Sequence, residues 1–462
     1  MMRGTLIKGC HRPLTAKACT DGCILVGVVR SGASRIAAGY RRVLPVTSSA
    51  QLRIAGALLP SGAIRVALIH RPAVQKLAIL GAAKAMVQRC MVGTLVLFVA
   101  GCTTLPPIKL GSCAIPITPA PPIAPSTDGQ TASTTLEVLT FNIEGLGWPA
   151  RRGRGPSLEQ IGATLAELNK RGKAPDVILV QEMFSPAAVR AVTQAGYPYR
   201  AWGPTRTQRR RLATEGRMQG PFHWAKGETG FHLVGSGLAI LSRYPIVAAR
   251  SEPFGKHRCA GFDCLSNKGV QHVRIAVPGV PQPLDIFNTH MNSQGASRVS
   301  PARNGAAHAL QVADLATFIA ATSESEAPKI FGGDFNMRGA PSRLARLEAK
   351  LSRFTMVHRY CALPNAGCSV PISWDGDEPW LDTEDLQLFS SGAEVAISPT
   401  RVEAMFDGPG SGDRLSDHDG LKVAYRLTWR PQQTAEWISR INSRTTTACL
   451  ASRALPRSRS SN

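Results

Sequence analysis

The chain has 462 residues, enough for two or three ordinary domains or for one large α/β domain with appendages. Its formal charge of +23 suggests a nucleic-acid binder, but fourteen Lys/Arg against the single Asp21 put +13 in residues 1–90, and five Arg against Glu436 put +4 in residues 431–462. Only +6 is left for residues 91–430, so composition gives the body little support as a nucleic-acid surface, and Arg206 with Arg209-Arg210-Arg211 reads as a solvated loop.

Residues 1–85 show no sustained period and read as unstructured or as an over-extended translation start. Residues 86–102 run from Met86-Val87-Gln88-Arg89 through an apolar stretch, Val92 to Ala100, to Val99-Ala100-Gly101-Cys102. The stretch is too short to span a bilayer. It resembles a bacterial lipoprotein signal, which implies lipidation of Cys102, export and, with Thr103 following, sorting to the outer membrane of a Gram-negative cell. The other reading is a buried strand or helix that ends in Gly-Cys. Residues 103–134 form a Pro-rich linker, expected to be an extended spacer between membrane and domain.

Residues 135–430 carry the folded pattern, and residues 431–462 are a basic tail. Strands are expected at Leu136–Ile143, Val177–Val180, Gly237–Leu241, Val270–Val277, Leu284–Thr289, Lys329–Phe331, Leu386–Phe389 and Leu421–Leu427. Ser157-Leu158-Glu159-Gln160 reads as a capping box opening a helix, Ser185-Pro186 as the start of a second, and further helices fall near 303–320 and 341–352. Many strands with few helices imply two packed sheets covered by helices, a four-layer α/β sandwich. In an exported body, Cys259/Cys264 and Cys361/Cys368 are the simplest disulfide pairs among three possible connectivities; Cys113 and Cys449 would be left over.

The most informative stretch is Lys329-Ile330-Phe331-Gly332-Gly333-Asp334-Phe335-Asn336, a short strand whose two glycines free the backbone to turn and whose end delivers a carboxylate and a carboxamide together. Four more strand ends are polar: Asn142 and Glu144; Gln181-Glu182; Asn288-Thr289-His290-Met291-Asn292; and Ser416-Asp417-His418. Singly, each is an ordinary cap or loop residue. Together they place carboxylates, amides and two histidines at strand ends of one sheet protein, which packing alone does not explain.

In this order the motifs resemble the endonuclease/exonuclease/phosphatase superfamily from about Thr135 to Thr428, which implies a deoxyribonuclease I-like sandwich and a metal-dependent phosphodiester hydrolase. Glu182 and Asn142 would hold Mg²⁺, or Mn²⁺, with Asp417 beside the metal or phosphate; oxygen donors suit a hard cation. His418 would be the general base, oriented by Asp385, with Asp382 close enough to be confused with it. Asp334 and Asn336 would position water and phosphate, and His290 would serve the leaving side. Gly261-Phe262-Asp263-Cys264-Leu265-Ser266-Asn267-Lys268-Gly269 resembles a segment of neutral sphingomyelinases, which makes Asn267 and Lys268 candidate substrate contacts, with Asn292 of the Thr-His-Met-Asn element a third. A phospholipid is therefore the expected substrate, in a sphingomyelinase-like phospholipase C acting as a monomer at a membrane. An extracytoplasmic nuclease is the enzyme alternative, and a catalytically silent binding lipoprotein the alternative outside enzymes. Met405 and Phe406 read either as a loop that dips into lipid or as side chains packed beneath it.

Overall fold

The computed structural model describes residues 105–111, 120–148, 150–381, 383–408 and 414–431. The signal segment with Cys102, Cys113, Asp382 and the basic tail with Cys449 lie outside the described residues. Among the described residues, thirteen strands form two sheets. The first contains β1 (Ala124–Pro125), β2 (Ala132–Asn142), β3 (Val177–Gln181), β4 (Tyr199–Trp202), β5 (Ala239–Ser242), β12 (Ala396–Met405) and β13 (Gly420–Trp429), in the order β12-β13-β2-β3-β5-β4 with β1 on β2. The second contains β6 (Ile246–Pro253), β7 (Gly269–Ile275), β8 (Leu284–His290), β9 (Lys329–Asp334), β10 (Thr355–Met356) and β11 (Asp385–Ser390), in the order β10-β11-β9-β8-β7-β6. In each sheet one central pair is parallel, β2 with β3 and β8 with β9, and the remaining pairs are antiparallel.

Alternation along the strands divides the core into layers. Leu136, Val138 and Leu179 from the first sheet meet Val273, Ile286 and Ile330 from the second. On the outer faces, Leu139, Phe141 and Ile178 pack under α1 (Arg154–Lys170) and α2 (Pro186–Gln194), while Phe287 and Phe331 pack under α3 (Pro301–Thr322) and α4 (Pro341–Lys350). This is the expected four-layer sandwich. A short α5 (Val357–Cys361) and the disulfides Cys259–Cys264 and Cys361–Cys368 complete it, both pairs as expected.

Several local expectations need correction. Helix α1 opens at Arg154 behind Gly153 (φ 75°), three residues before Ser157, and no side chain caps it. Arg154 reaches Ile143 O, Glu144 O and Leu415 O, so tertiary bonds fix this helix start and the Ser157 box lies inside the helix. Gly332 and Gly333 remain within β9 and serve close approach instead of a turn: a Cβ on Gly332 would lie 2.6 Å from Leu179 Cδ1 of the facing sheet, and one on Gly333 2.3 Å from Thr289 O. Arg210 is not solvated; its guanidinium is buried between Asp314 (3.5 Å) and Glu252 (3.9 Å). The described parts of the Pro-rich linker are docked: Lys109 pairs with Arg200 on the β4 edge, Pro106 O accepts the Trp202 indole N–H at 2.7 Å, and Gly111 N donates to Ile246 O. Phe406 is 1% exposed and stacks on Phe141 at 4.9 Å, which removes the lipid-dipping reading.

Candidate active site

The parallel pairs set the site. β2, β3, β8 and β9 end in polar residues at one end of the sandwich, and β11 and β13 begin there, because each runs antiparallel to a neighbour that ends there. Register brings His290 opposite Asp334, and Asp334 opposite Asp385. Three exits then turn through left-handed residues other than glycine: Glu144 (φ 47°), Glu182 (φ 61°) and Asn336 (φ 52°). Such conformations cost roughly 1 kcal/mol or more each and are held only where the surroundings over-determine them. Here Asn336 N and Nδ2 both donate to Asp334 Oδ1 at 2.9 Å, and Glu144 N donates to Asn142 Oδ1 at 3.1 Å.

His418 sits at the centre. Ser416 Oγ donates to Asn142 O and accepts from His418 N, which ties this turn to the end of β2. His418 Nδ1 donates to Asp385 Oδ2 at 2.8 Å, leaving Nε2 directed at Asn142 Nδ2 (3.4 Å) and Asp334 Oδ2 (3.9 Å). Burial pulls the imidazolium down, but Asp385, through charge and hydrogen bond, with Asp334 and Asp417, carries it up to about 11. Asp334 is pushed up to about 6 by burial, and Glu182 up to about 7 by the same cause.

Opposite lies a second pair. Lys268 Nζ is 2.9 Å from His290 Nε2, donates to Met291 O and pairs with Asp263 at 2.8 Å. Burial and the Lys268 and His418 charges hold His290 well below its ordinary range, so its ring is neutral and Nε2 accepts from the ammonium. Glu182 Oε1 is 4.0 Å from that same nitrogen, and Asp334 Oδ2 is 3.3 Å from it.

The donors fit a hard divalent cation. Glu182, Asp334 and Glu384 are all pushed toward protonation by burial, and Asp334, Glu384 and His418 offer ligand atoms within 4.8 Å of one another. A cluster of carboxylates crowded in this way gains from a bound positive charge, and no thiolate competes for softer metals.

The profile of the Endonuclease/Exonuclease/phosphatase family matches residues 139–418, from β2 to His418. The chain belongs to this family. A putative neutral sphingomyelinase of Drosophila melanogaster is 26% identical over 205 residues, which is 44% of this chain and 39% of that protein; the chain thus spans about two fifths of that relative's length. Among solved structures, sphingomyelinase C of Streptomyces griseocarneus is 18% identical with a TM-score of 0.42, covering 63% of this chain and 99% of that one. A Staphylococcus aureus beta toxin with bound magnesium ions is 19% identical with a TM-score of 0.42, at 63% and 99% coverage.

At this end of the sandwich the structure gathers Asn142, Glu182, Lys268, His290, Asp334, Asn336, Asp385 and His418. Asn142 is chiefly an orienting amide, its Nδ2 donating to Asp334 Oδ2 at 3.0 Å, and its oxygen keeps one lone pair for a cation. Three expected residues have other duties. Asp417 is half exposed and its carboxylate pairs with Arg151 at 3.0 Å at the rim, outside the oxygen cluster. Asn267 donates to Thr205 O and Gln208 O, and Asn292 accepts from Ala260 N while its own N–H goes to Gln311; both fasten loops. Gln181, at the end of β3, and Asn288, within β8, bond each other at 2.7 Å between the sheets. Sequence reasoning missed Glu384, whose only signal is the doubled acid Glu384-Asp385 at the start of β11.

Proposed function

We propose that this chain is a metal-dependent phosphodiester hydrolase of the sphingomyelinase-like phospholipase C kind. In this reading it is exported as a lipoprotein through Cys102 and acts at the outer membrane. The observation that carries the hydrolase is the His418–Asp385 pair facing Asp334 beside Asn142, with the Lys268 ammonium held on His290 at the other side of Asp334. The lipid preference is supported by the Gly261–Gly269 segment and by the sequence similarity to the Drosophila putative neutral sphingomyelinase.

Glu182 and Asp334, with Asn142 and Glu384 beside them, would hold Mg²⁺ or Mn²⁺, which when bound supplies the charge that offsets the carboxylates and stabilises charge developing on phosphorus oxygens. With that field compensated, His418 Nε2 takes a proton from the attacking water, while Asp385 fixes the ring through Nδ1 and stabilises the imidazolium. Asn336 acts through Asp334 by holding its Oδ1, which leaves Oδ2 toward the water side. The water oxygen bonds to phosphorus as the bond to the leaving oxygen breaks. That oxygen takes its proton from the Lys268–His290 side, where the ammonium is the donor.

The purified full chain is tested with Mg²⁺ on sphingomyelin and phosphatidylcholine vesicles, duplex DNA and a soluble phosphodiester. Release of phosphocholine, abolished by EDTA, is expected. DNA hydrolysis that falls steeply with salt, without phosphocholine release, would replace the lipid reading by the nuclease one, and inactivity on all four would support a silent binding lipoprotein.

A further inference from the structure

Two loops beside the site share an unusual surface. Residues 203–236 contain Phe222, Trp224, Phe231 and Leu233, all exposed, with Trp224 and Phe231 at 77% and 73%. The 3-10 turn Gly261–Leu265 adds exposed Phe262. These side chains belong to one surface because the two segments pack together. Phe222 packs at a tilt against His257 with centroids 4.5 Å apart, Leu233 N donates to Leu265 O, Gly227 lies against Leu265 and Gly261, and Phe262 N donates to Ser297 O. Behind them is a hollow of about 470 Å³ lined by Phe222, Phe231, Phe254 and His257, with Arg209 and Lys256 among its polar walls.

Exposed apolar rings of this number on one face are not used in packing this fold, and contiguous patches of that kind mark contact sites. Their setting selects the occupant. Arg209 and Lys256 are exposed at the hollow, Lys226 of the Trp224 turn is exposed and donates to Arg298 O, and Arg211 and Arg217 are exposed elsewhere in the same loop; of the acids, Glu228 is buried against Arg303, Asp263 is spent on Lys268 and Glu215 alone of that loop is exposed, so cations outnumber it. Aromatic tips with a cationic surround suit the interface of a bilayer with anionic headgroups, where rings enter the headgroup layer and cations meet phosphates. The patch is also joined to the chemistry: Phe262 faces out while its neighbour Asp263 holds Lys268, which touches His290.

We infer that Trp224, Phe231, Phe262 and their basic surround form a membrane-docking surface that seats the active site on a lipid bilayer. This rests on the lipid-hydrolase reading above, but its test reads binding and not turnover. The full chain carrying Cys102→Ala, so that no acyl chain contributes, is sedimented with phosphatidylcholine vesicles with and without phosphatidylserine. Binding that strengthens with phosphatidylserine and weakens with salt is expected. Trp224→Ala and Phe231→Ala should each weaken it about tenfold, the loss expected when a largely exposed ring no longer enters lipid. Melting temperature and rate on a soluble phosphodiester should stay unchanged, since both rings are about three-quarters exposed and neither is among the residues placed in the catalytic cluster. Vesicle binding equal in wild type and the double variant overturns the inference. So does salt-sensitive capture of a single-stranded oligonucleotide that the same substitutions abolish while vesicles are not bound, because aromatic rings among arginines also stack bases. Docking without phosphocholine release would sink the substrate assignment and leave this surface standing.

Discussion

Phe406→Ala separates a packed ring from a lipid-facing one. Phe406 lies parallel to Phe141 (interplanar angle 5°, centroids 4.9 Å) and edge-on to Trp374 at 5.8 Å. A buried phenylalanine removes about 150–250 Å² from water. At about 25 cal/mol per Å² this corresponds to roughly 4–6 kcal/mol, and truncations of buried Phe to Ala cost about 3–5 kcal/mol. The left-handed backbone at φ 61° is equally unfavourable for alanine, so it adds little to the difference. In a domain of this size each kcal/mol moves the midpoint by about 2 °C, so thermal unfolding should occur roughly 6–10 °C lower. Because Phe141 leads directly into Asn142 and the Asp334–His418 contacts, hydrolysis of a soluble phosphodiester and of vesicle lipid should fall by the same factor. An unchanged midpoint with a loss confined to vesicles would refute the packing argument.

Asp385→Asn should lower turnover by orders of magnitude with the fold retained, since a neutral amide replaces the carboxylate that accepts from His418 Nδ1–H and steadies the imidazolium; with the charge that raises His418 gone, the rate–pH dependence on this base should move to lower pH, and a rate near wild type would remove the pair from the mechanism. Glu182→Gln should weaken Mn²⁺ binding measured by titration calorimetry, and affinity equal to wild type would place the cation elsewhere. Neutral His308 donates Nε2–H to Phe335 O at 2.9 Å, and burial, with Arg343 and Arg346 nearby, pushes it from 6.5 down to about 3. Its contribution is therefore full above about pH 6.5 and is lost as pH falls toward 3, because the unfolded chain binds the proton first, at a limiting slope of about 1.4 kcal/mol per pH unit. His308→Gln should flatten that part of a urea-stability profile, and superimposable slopes would show that His308 does not titrate this way.

The site was legible in the sequence where polar residues flank short apolar strands, at their ends as at Asp334 and His290 or just before them as at His418, because strand ends of a two-sheet sandwich converge. The same signal misled at Gln181, at the end of β3, and Asn288, which β8 continues past; the two bridge the sheets. Local sequence cannot tell an amide that faces outward from one that faces the neighbouring sheet. Asn267 and Asn292 mark the same limit, since their partners lie 59 to 62 and 19 to 32 residues away. Edge strands were also missed: β4 has four residues, β6 alternates poorly, and β12 carries Pro399 with a register shift before Arg401. Helix α1 shows the complementary failure, because long-range carbonyl contacts from Arg154 override a local capping signal.

The docked stretch between Leu105 and Gly111 changes the geometry of attachment. β3 and β4 are both antiparallel to β5, so they run the same way, and Trp202 lies at the end of β4 that corresponds to Glu182 at the end of β3. Pro106 is bonded at Trp202 while Gly111 is bonded farther back at Ile246, so the chain comes from its N-terminal side onto the catalytic end of the sandwich. A Pro-rich run that composition marks as a slack spacer is thereby used as a strap across the sandwich edge, and cutting it there would strip the Trp202 indole and the Ile246 carbonyl of their partners.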